Sequence, residues 1–269
     1  MTATRAAIAG LGAIGRTVAR RLARGDVAGV TLACAAVRDP AKAAAFLEEA
    51  GISCPLVPLS AFPGGADVAV ECAPGEALEA ICTPMLTAGK DVLVLSAGAL
   101  LPRPHLIELA RRHGGRIIVP SGALLGLDAV TAAAEGVISS VHMTTRKPPR
   151  GLAGAPYLVR EGISVDGLKE AKRVFAGTAR EAAAGFPENV NVAAALSLAG
   201  IGPDRTTIEI WADPAVARNC HFIEVEAEAA RFSFTIENVP SENPRTGRIV
   251  ALSVIATLRR LNAPLRVGT

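Results

Sequence analysis

Three glycines stand at the spacing Gly10-Leu11-Gly12-Ala13-Ile14-Gly15. With a strand before them and a helix after them they can grip a pyrophosphate. The first permits a tight turn, the second lets the backbone come close to the phosphates, and the third lets the helix pack on the strand. Free N–H groups and the positive dipole end then meet the anion at Gly12, Ala13, Ile14 and Gly15. Histidine is the other residue type suited to chemistry near neutral pH. Of four histidines, His105 and His113 share a surface helix and His142 lies in a strand-like run without an evident partner. His221 heads the run Asn219-Cys220-His221-Phe222-Ile223-Glu224-Val225-Glu226. It can accept a proton beside a hydride acceptor, or simply be a strand-end residue. Glu224 and Glu226 either share its face or are solvated.

The elements that must position these groups follow from periodicity. The apolar run Ala6 to Ala9 enters the glycines, and Ile14, Val18 and Leu22 leave them at helical spacing. Strand and helix then alternate. Strands are expected over 30–37, 67–72, 91–96 and 116–120, and helices over 40–50, 75–88 and 105–113. That alternation implies a parallel sheet with right-handed crossovers, which binds ligands beyond the carboxyl ends of its strands. Those ends read Cys72-Ala73-Pro74, Ser96-Ala97-Gly98-Ala99 and Pro120-Ser121-Gly122-Ala123. All are small, which suits a tight turn and equally lets a flat nicotinamide or ribose lie against backbone. The second strand ends Val37-Arg38-Asp39-Pro40. Asp39 before a proline reads as a helix cap rather than a ribose ligand. Arg38 suits a 2′-phosphate, so NADP is expected as well as NAD.

Beyond Ser121 the alternation stops. Helices are expected over 124–135, 191–198 and part of 168–184, and a strand over 137–145. The segment 146–154, rich in proline, glycine and cations, reads as an exposed loop. Runs at 206–212, 220–227 and 231–238 alternate in polarity and suit an antiparallel sheet. An apolar helix over 249–261 is expected to return to the first domain. Asn189 or Asn191 can cap the Ala-rich helix or hold a nicotinamide carboxamide, and Arg245 sits in a connector that can bring it to a substrate carboxylate. The expected architecture is α/β: a Rossmann-type dinucleotide-binding domain over 1–121, joined by 245–269, and an α+β substrate-binding and dimerisation domain over 122–244.

Composition narrows the class. The 269 residues are 50% apolar and only 3% aromatic, so the core is built of Ala, Val, Leu and Ile. The net charge is +3, and Arg16, Arg20, Arg21 and Arg24 fall on a solvated helix face, which does not indicate nucleic acid. Five cysteines, an odd number without a CxxC pair, point to free thiols in a reducing, cytoplasmic setting and to no structural metal. The N-terminus enters a strand directly and no apolar run is long enough for a membrane span.

Several stretches, taken together and in order, resemble the L-aspartate dehydrogenase family over essentially the whole chain. They are Gly10 to Gly15, Val119-Pro-Ser-Gly-Ala-Leu-Leu-Gly-Leu-Asp128, Thr145-Arg-Lys-Pro-Pro149, Phe186-Pro-Glu-Asn-Val-Asn-Val192, Ile210-Trp-Ala-Asp213, His221 and Ile236-Glu-Asn-Val-Pro-Ser241. The resemblance implies oxidation of L-aspartate to iminoaspartate with NAD or NADP, then hydrolysis to oxaloacetate and ammonia. It also implies a homodimer and a supply of iminoaspartate to NAD biosynthesis. The family's NAD contacts fall on Ala123 and Asn189, and its catalytic histidine on His221. Apart from the resemblance, both substrate carboxylates need cationic or N–H donors, and Lys147, Asn191 and Arg245 are the candidates. The missing acid after the second strand departs from strict NAD-type fingerprints. Competing expectations are another two-domain reductase, such as a homoserine dehydrogenase or dihydrodipicolinate reductase, and a sensor that binds NAD(P) without turnover.

Overall fold

In the computed structural model, residues 3–187, 190–241 and 247–268 are described. The chain forms two units. The first runs to Gly122 and regains Val250–Arg266; the second is Ala123–Ile249.

The first unit is a five-stranded sheet of order β2-β1-β3-β4-β5. Its strands are β1 (Thr4–Ala9), β2 (Val30–Ala36), β3 (Val68–Glu71), β4 (Asp91–Val94) and β5 (Ile117–Ile118), all paired in parallel. Buried strands in a parallel sheet need apolar residues on both faces, and β1 supplies Ala6, Ala7 and Ile8, each fully buried. One face packs Ile8, Val70 and Leu93 under α1 (Ala13–Ala23) and α2 (Pro40–Glu49). The other packs Ala7, Ala69 and Val92 against α3 (Leu78–Thr87) and α4 (Pro104–His113). The last strand is shorter than the expected 116–120, because only Ile117 and Ile118 pair with β4.

The second unit carries α5 (Leu127–Ala134), α6 (Ala179–Gly185) and α7 (Asn191–Ala199) against a second five-stranded sheet of order β10-β9-β6-β8-β7. Its strands are β6 (Ile138–Lys147), β7 (Lys172–Thr178), β8 (Thr206–Ala212), β9 (Asn219–Ala227) and β10 (Arg231–Asn238). Its core joins Val141, Met143, Ile208, Ile210, Ile223 and Val225 to Phe175, Phe186 and Leu196. The C-terminal helix α8 (Ile249–Asn262) returns to the first unit, where Val254, Ile255 and Leu258 join Ile8 and Val18. Asn262 ends it, donating to the Gly29 carbonyl at 2.9 Å.

Three expectations fail here. The second sheet is mixed, because β6 and β8 run parallel while β9, β10 and β7 pair antiparallel to their neighbours. Residues 172–178 are a strand and not a helix; only α6 is helical, started by a reciprocal cap between Thr178 and Glu181. Residues 146 and 147 belong to β6 and not to an exposed loop. Pro148 ends the strand instead, and the inward face continues through Thr145 to Lys147.

Candidate active site

The glycine turn has the geometry of an anion cradle. Gly10 adopts φ +98°, and a Cβ there would lie 2.6 Å from the Cys72 carbonyl oxygen. A Cβ on Gly15 would collide with the Gly10 carbonyl oxygen, so the helix start and the turn touch. Gly12, the N-cap of α1, is the opposite case: among the described residues nothing lies within 4 Å of an added Cβ, and no side chain caps the helix. The first turn also lacks any acid. Helix geometry leaves the first N–H groups of α1, at Ala13, Ile14 and Gly15, without intrahelical acceptors. An open backbone approach beside uncapped donors is what a dinucleotide pyrophosphate requires, and the residues fit it.

At the next strand end, Arg38 is exposed. Asp39 accepts from the Lys42 N–H at 3.0 Å as the N-cap of α2, so its carboxylate is engaged as expected. Cys72 and Ala73 are half-buried at the end of β3. Ala97 and Gly98 are buried within the single helical turn Ala97–Leu100, so Leu95 and Ser96 are what the end of β4 presents.

Glu71 was not singled out by the sequence. It is fully buried at the last position of β3 and accepts from the Ala73, Leu95 and Ser96 N–H groups and from the Ser96 hydroxyl. Burial pushes its carboxyl up, and those donors pull the other way. The only sequence signal was an acid closing an apolar strand.

The second unit assembles a basic pair. His221 on β9 stands opposite Thr145 on β6, with Thr145 Oγ1 and His221 Nδ1 at 3.1 Å. Lys147 lies two residues on from Thr145, on the same inward face. Thr145, Lys147 and His221 are 1%, 3% and 2% exposed. Burial, helped by the Lys147 charge, pushes His221 down to about 3. Burial alone brings Lys147 down to about 7. Glu224 and Glu226 fall on the opposite face, because β9 buries His221, Ile223 and Val225 in strict alternation. His142 also faces away from His221, with Nδ1 2.8 Å from Thr207 Oγ1.

Ala123 is half-buried, and its carbonyl accepts from Asn238 Nδ2 at 3.0 Å. Asn191 is the first helical residue of α7, with Val190 and not an asparagine as the N-cap. Asn189 and Arg245 lie outside the described residues.

Comparison with known proteins matches both units. Residues 128–261 match the family model for the C-terminal part of aspartate dehydrogenase. Residues 10–120 match the NAD-binding domain model of homoserine dehydrogenase. The chain is 57% identical over 263 residues to L-aspartate dehydrogenase 3 of Bordetella bronchiseptica, covering 98% of this chain and 97% of that one. It is also 57% identical to L-aspartate dehydrogenase of Bradyrhizobium diazoefficiens, over 98% and 94%. Among solved structures, aspartate dehydrogenase from Thermotoga maritima superposes with a TM-score of 0.77 at 24% identity, over 98% of this chain and 99% of that one, and shares the fold. A glycine turn open at Gly12, a sheet face carrying Thr145, Lys147 and His221, and this identity along nearly the full length agree: the chain belongs to the L-aspartate dehydrogenase family.

Proposed function

We propose that the protein oxidises L-aspartate to iminoaspartate with NAD or NADP, water then releasing oxaloacetate and ammonia. The observation that carries this reading is the buried face on which Thr145 fixes His221 beside Lys147.

The first unit holds the cofactor: Gly10, Gly12, Ala13, Ile14 and Gly15 around the pyrophosphate, Arg38 at the adenosine end, and Cys72, Ala73, Leu95 and Ser96, rather than the buried Ala97 and Gly98, toward the nicotinamide. The family resemblance adds Ala123 and Asn189 to the NAD contacts. When bound, NAD(P) supplies the hydride acceptor. The chain's own task is to take a proton. His221 is neutral in the resting protein, since its burial keeps the charged form out. With Nδ1–H donating to Thr145, the Nε2 lone pair is left for the substrate ammonium, or for the water that attacks the imine. Lys147, Asn191 and Arg245 receive the substrate. Aspartate brings two carboxylates, and negative charge beside Lys147 and His221 raises both toward their ordinary values. Substrate binding itself thereby makes Lys147 a cationic anchor and His221 a stronger base.

Family membership supports a homodimer, a cytoplasmic setting and delivery of iminoaspartate to NAD biosynthesis; light scattering and complementation of an aspartate-oxidase-deficient strain test the first and last. No helix among the described residues is long and apolar enough to cross a membrane.

The reaction itself is tested by following absorbance at 340 nm with a panel of amino and hydroxy acids and both cofactors. Reduction dependent on L-aspartate is expected. Turnover of homoserine instead of L-aspartate, or cofactor binding without turnover, would overturn this reading of the reaction.

A further inference from the structure

Glu71 is the one carboxylate buried completely in the first unit among the described residues, and the acid–base steps above do not use it. Its four hydrogen bonds divide evenly. Oε1 accepts from the Ala73 N–H and the Ser96 hydroxyl, both at 3.1 Å. Oε2 accepts from the Leu95 N–H at 3.0 Å and the Ser96 N–H at 2.8 Å. One side chain therefore ties together the segments that leave β3 and β4. The same two segments touch directly, since a Cβ on Gly75 would lie 2.9 Å from Ala99 Cβ.

The position in the sheet says which end of a dinucleotide these segments serve. With the pyrophosphate at the end of β1, the adenosine half extends over the end of β2, where the ribose-reading residue stands in such folds. The strand order places β3 and β4 on the other side of β1. The segments clamped by Glu71 thus lie on the nicotinamide side. The glycine turn does not depend on the clamp. The Gly10 N–H is held by the Ala36 carbonyl, and the Cys72 N–H by the Ala9 carbonyl, each at 2.8 Å.

We propose that Glu71 is a positioning residue that fixes residues 72–74 and 95–96 as a preformed seat for the nicotinamide end of the cofactor, leaving the pyrophosphate grip untouched. This rests on the cofactor reading given above. The chemistry requires a carboxylate there. Three main-chain N–H donors converge on a carboxyl that is itself fully buried, and only an acceptor with no hydrogen of its own satisfies all of them. In Glu71→Gln the amide NH2 avoids two N–H groups only by taking the Oε1 place. There Ser96 Oγ can turn to accept, but the Ala73 N–H loses its acceptor.

The test compares NADH with ADP-ribose, which has the pyrophosphate and both riboses but no nicotinamide, by calorimetry on the full chain. Wild type binds both. Glu71→Gln is expected to weaken NADH about tenfold, the equivalent of one hydrogen bond to a charged group, and ADP-ribose less than about threefold. Ser96→Ala, which removes one donor and no buried charge, shifts NADH the same way by a smaller factor and keeps the test open if Glu71→Gln does not fold. Equal losses for the two ligands, or no loss for NADH in either variant, would overturn the role of Glu71 alone. Wild-type protein that binds neither ligand would overturn the cofactor reading and this assignment with it.

Discussion

Thr145 and His221 face each other across the β6–β9 ladder with 3.1 Å between Oγ1 and Nδ1, both essentially cut off from solvent. The hydroxyl orients an imidazole that burial keeps neutral. His221→Ala is expected to lower kcat by about 10² to 10⁴ while leaving the Kd for NADH within about twofold, because the dinucleotide grip is in the other unit. Thr145→Val keeps the shape and removes the hydroxyl. It should lower kcat by about tenfold, and Thr145→Ser should restore most of it. Stopped-flow turnover of the three variants decides; wild-type rates in His221→Ala would remove the residue from the reaction.

Lys147 gives a prediction with a sign. Its pKa falls from 10.5 to about 7 on folding. The unfolded chain keeps that proton up to 10.5 and the folded chain only up to about 7, so this group makes stability rise as pH climbs between the two. Lys147→Met removes the contribution. Urea unfolding at pH 7.5 and 9.5 should show a wild-type-minus-variant difference that grows with pH. The same variant should raise KM for aspartate about tenfold or more, through loss of a charge-assisted contact to a carboxylate.

The glycines separate folding from binding. A side chain at Gly10 would meet the Cys72 carbonyl and needs a backbone conformation at φ +98° that L residues rarely adopt. Gly10→Ala is expected to lower Tm by several degrees. Gly12→Ala meets no atom of the described residues beyond its chain neighbours within 4 Å, so its Tm should stay near wild type while NADH affinity falls at least about tenfold, the methyl standing where the pyrophosphate approaches. Thermal melts beside NADH titrations check both; unimpaired NADH binding by Gly12→Ala would contradict the placement.

Cofactor choice is tested at Arg38. Asp39, also exposed, is committed to the Lys42 N–H, which leaves Arg38 as the exposed cation at the end of β2. Arg38→Ala should lower kcat/KM for NADP about tenfold and leave that for NAD near its original value. An unchanged ratio would exclude a 2′-phosphate contact.

Local pattern carried the first unit. The strand–glycine–helix run, the Asp39-Pro40 cap and the alternation up to α4 are short-range signals, and each element forms near where the spacing put it. His221 was legible as a reactive residue type at a strand head. Its environment was not, because Thr145 and His221 are 76 residues apart and meet only through the β6–β9 register. Lys147 was legible as a substrate-holding cation, but its burial was hidden by its neighbours. Cations, prolines and glycines after residue 145 read as a solvated loop, whereas pairing with Ala212 on β8 carries the strand on and turns the lysine inward. Lys172–Thr178 reads as helical by composition and is a strand because an edge of β8 was there to pair with it. Glu71 belongs to the same class: the chain alone shows an acid after Val70, and only the convergence of three N–H groups from two strand ends gives it a task. The sequence alone determined what lies within one turn or one strand of itself. Burial and cross-strand register, which depend on which distant segment arrives, were decided by the tertiary structure.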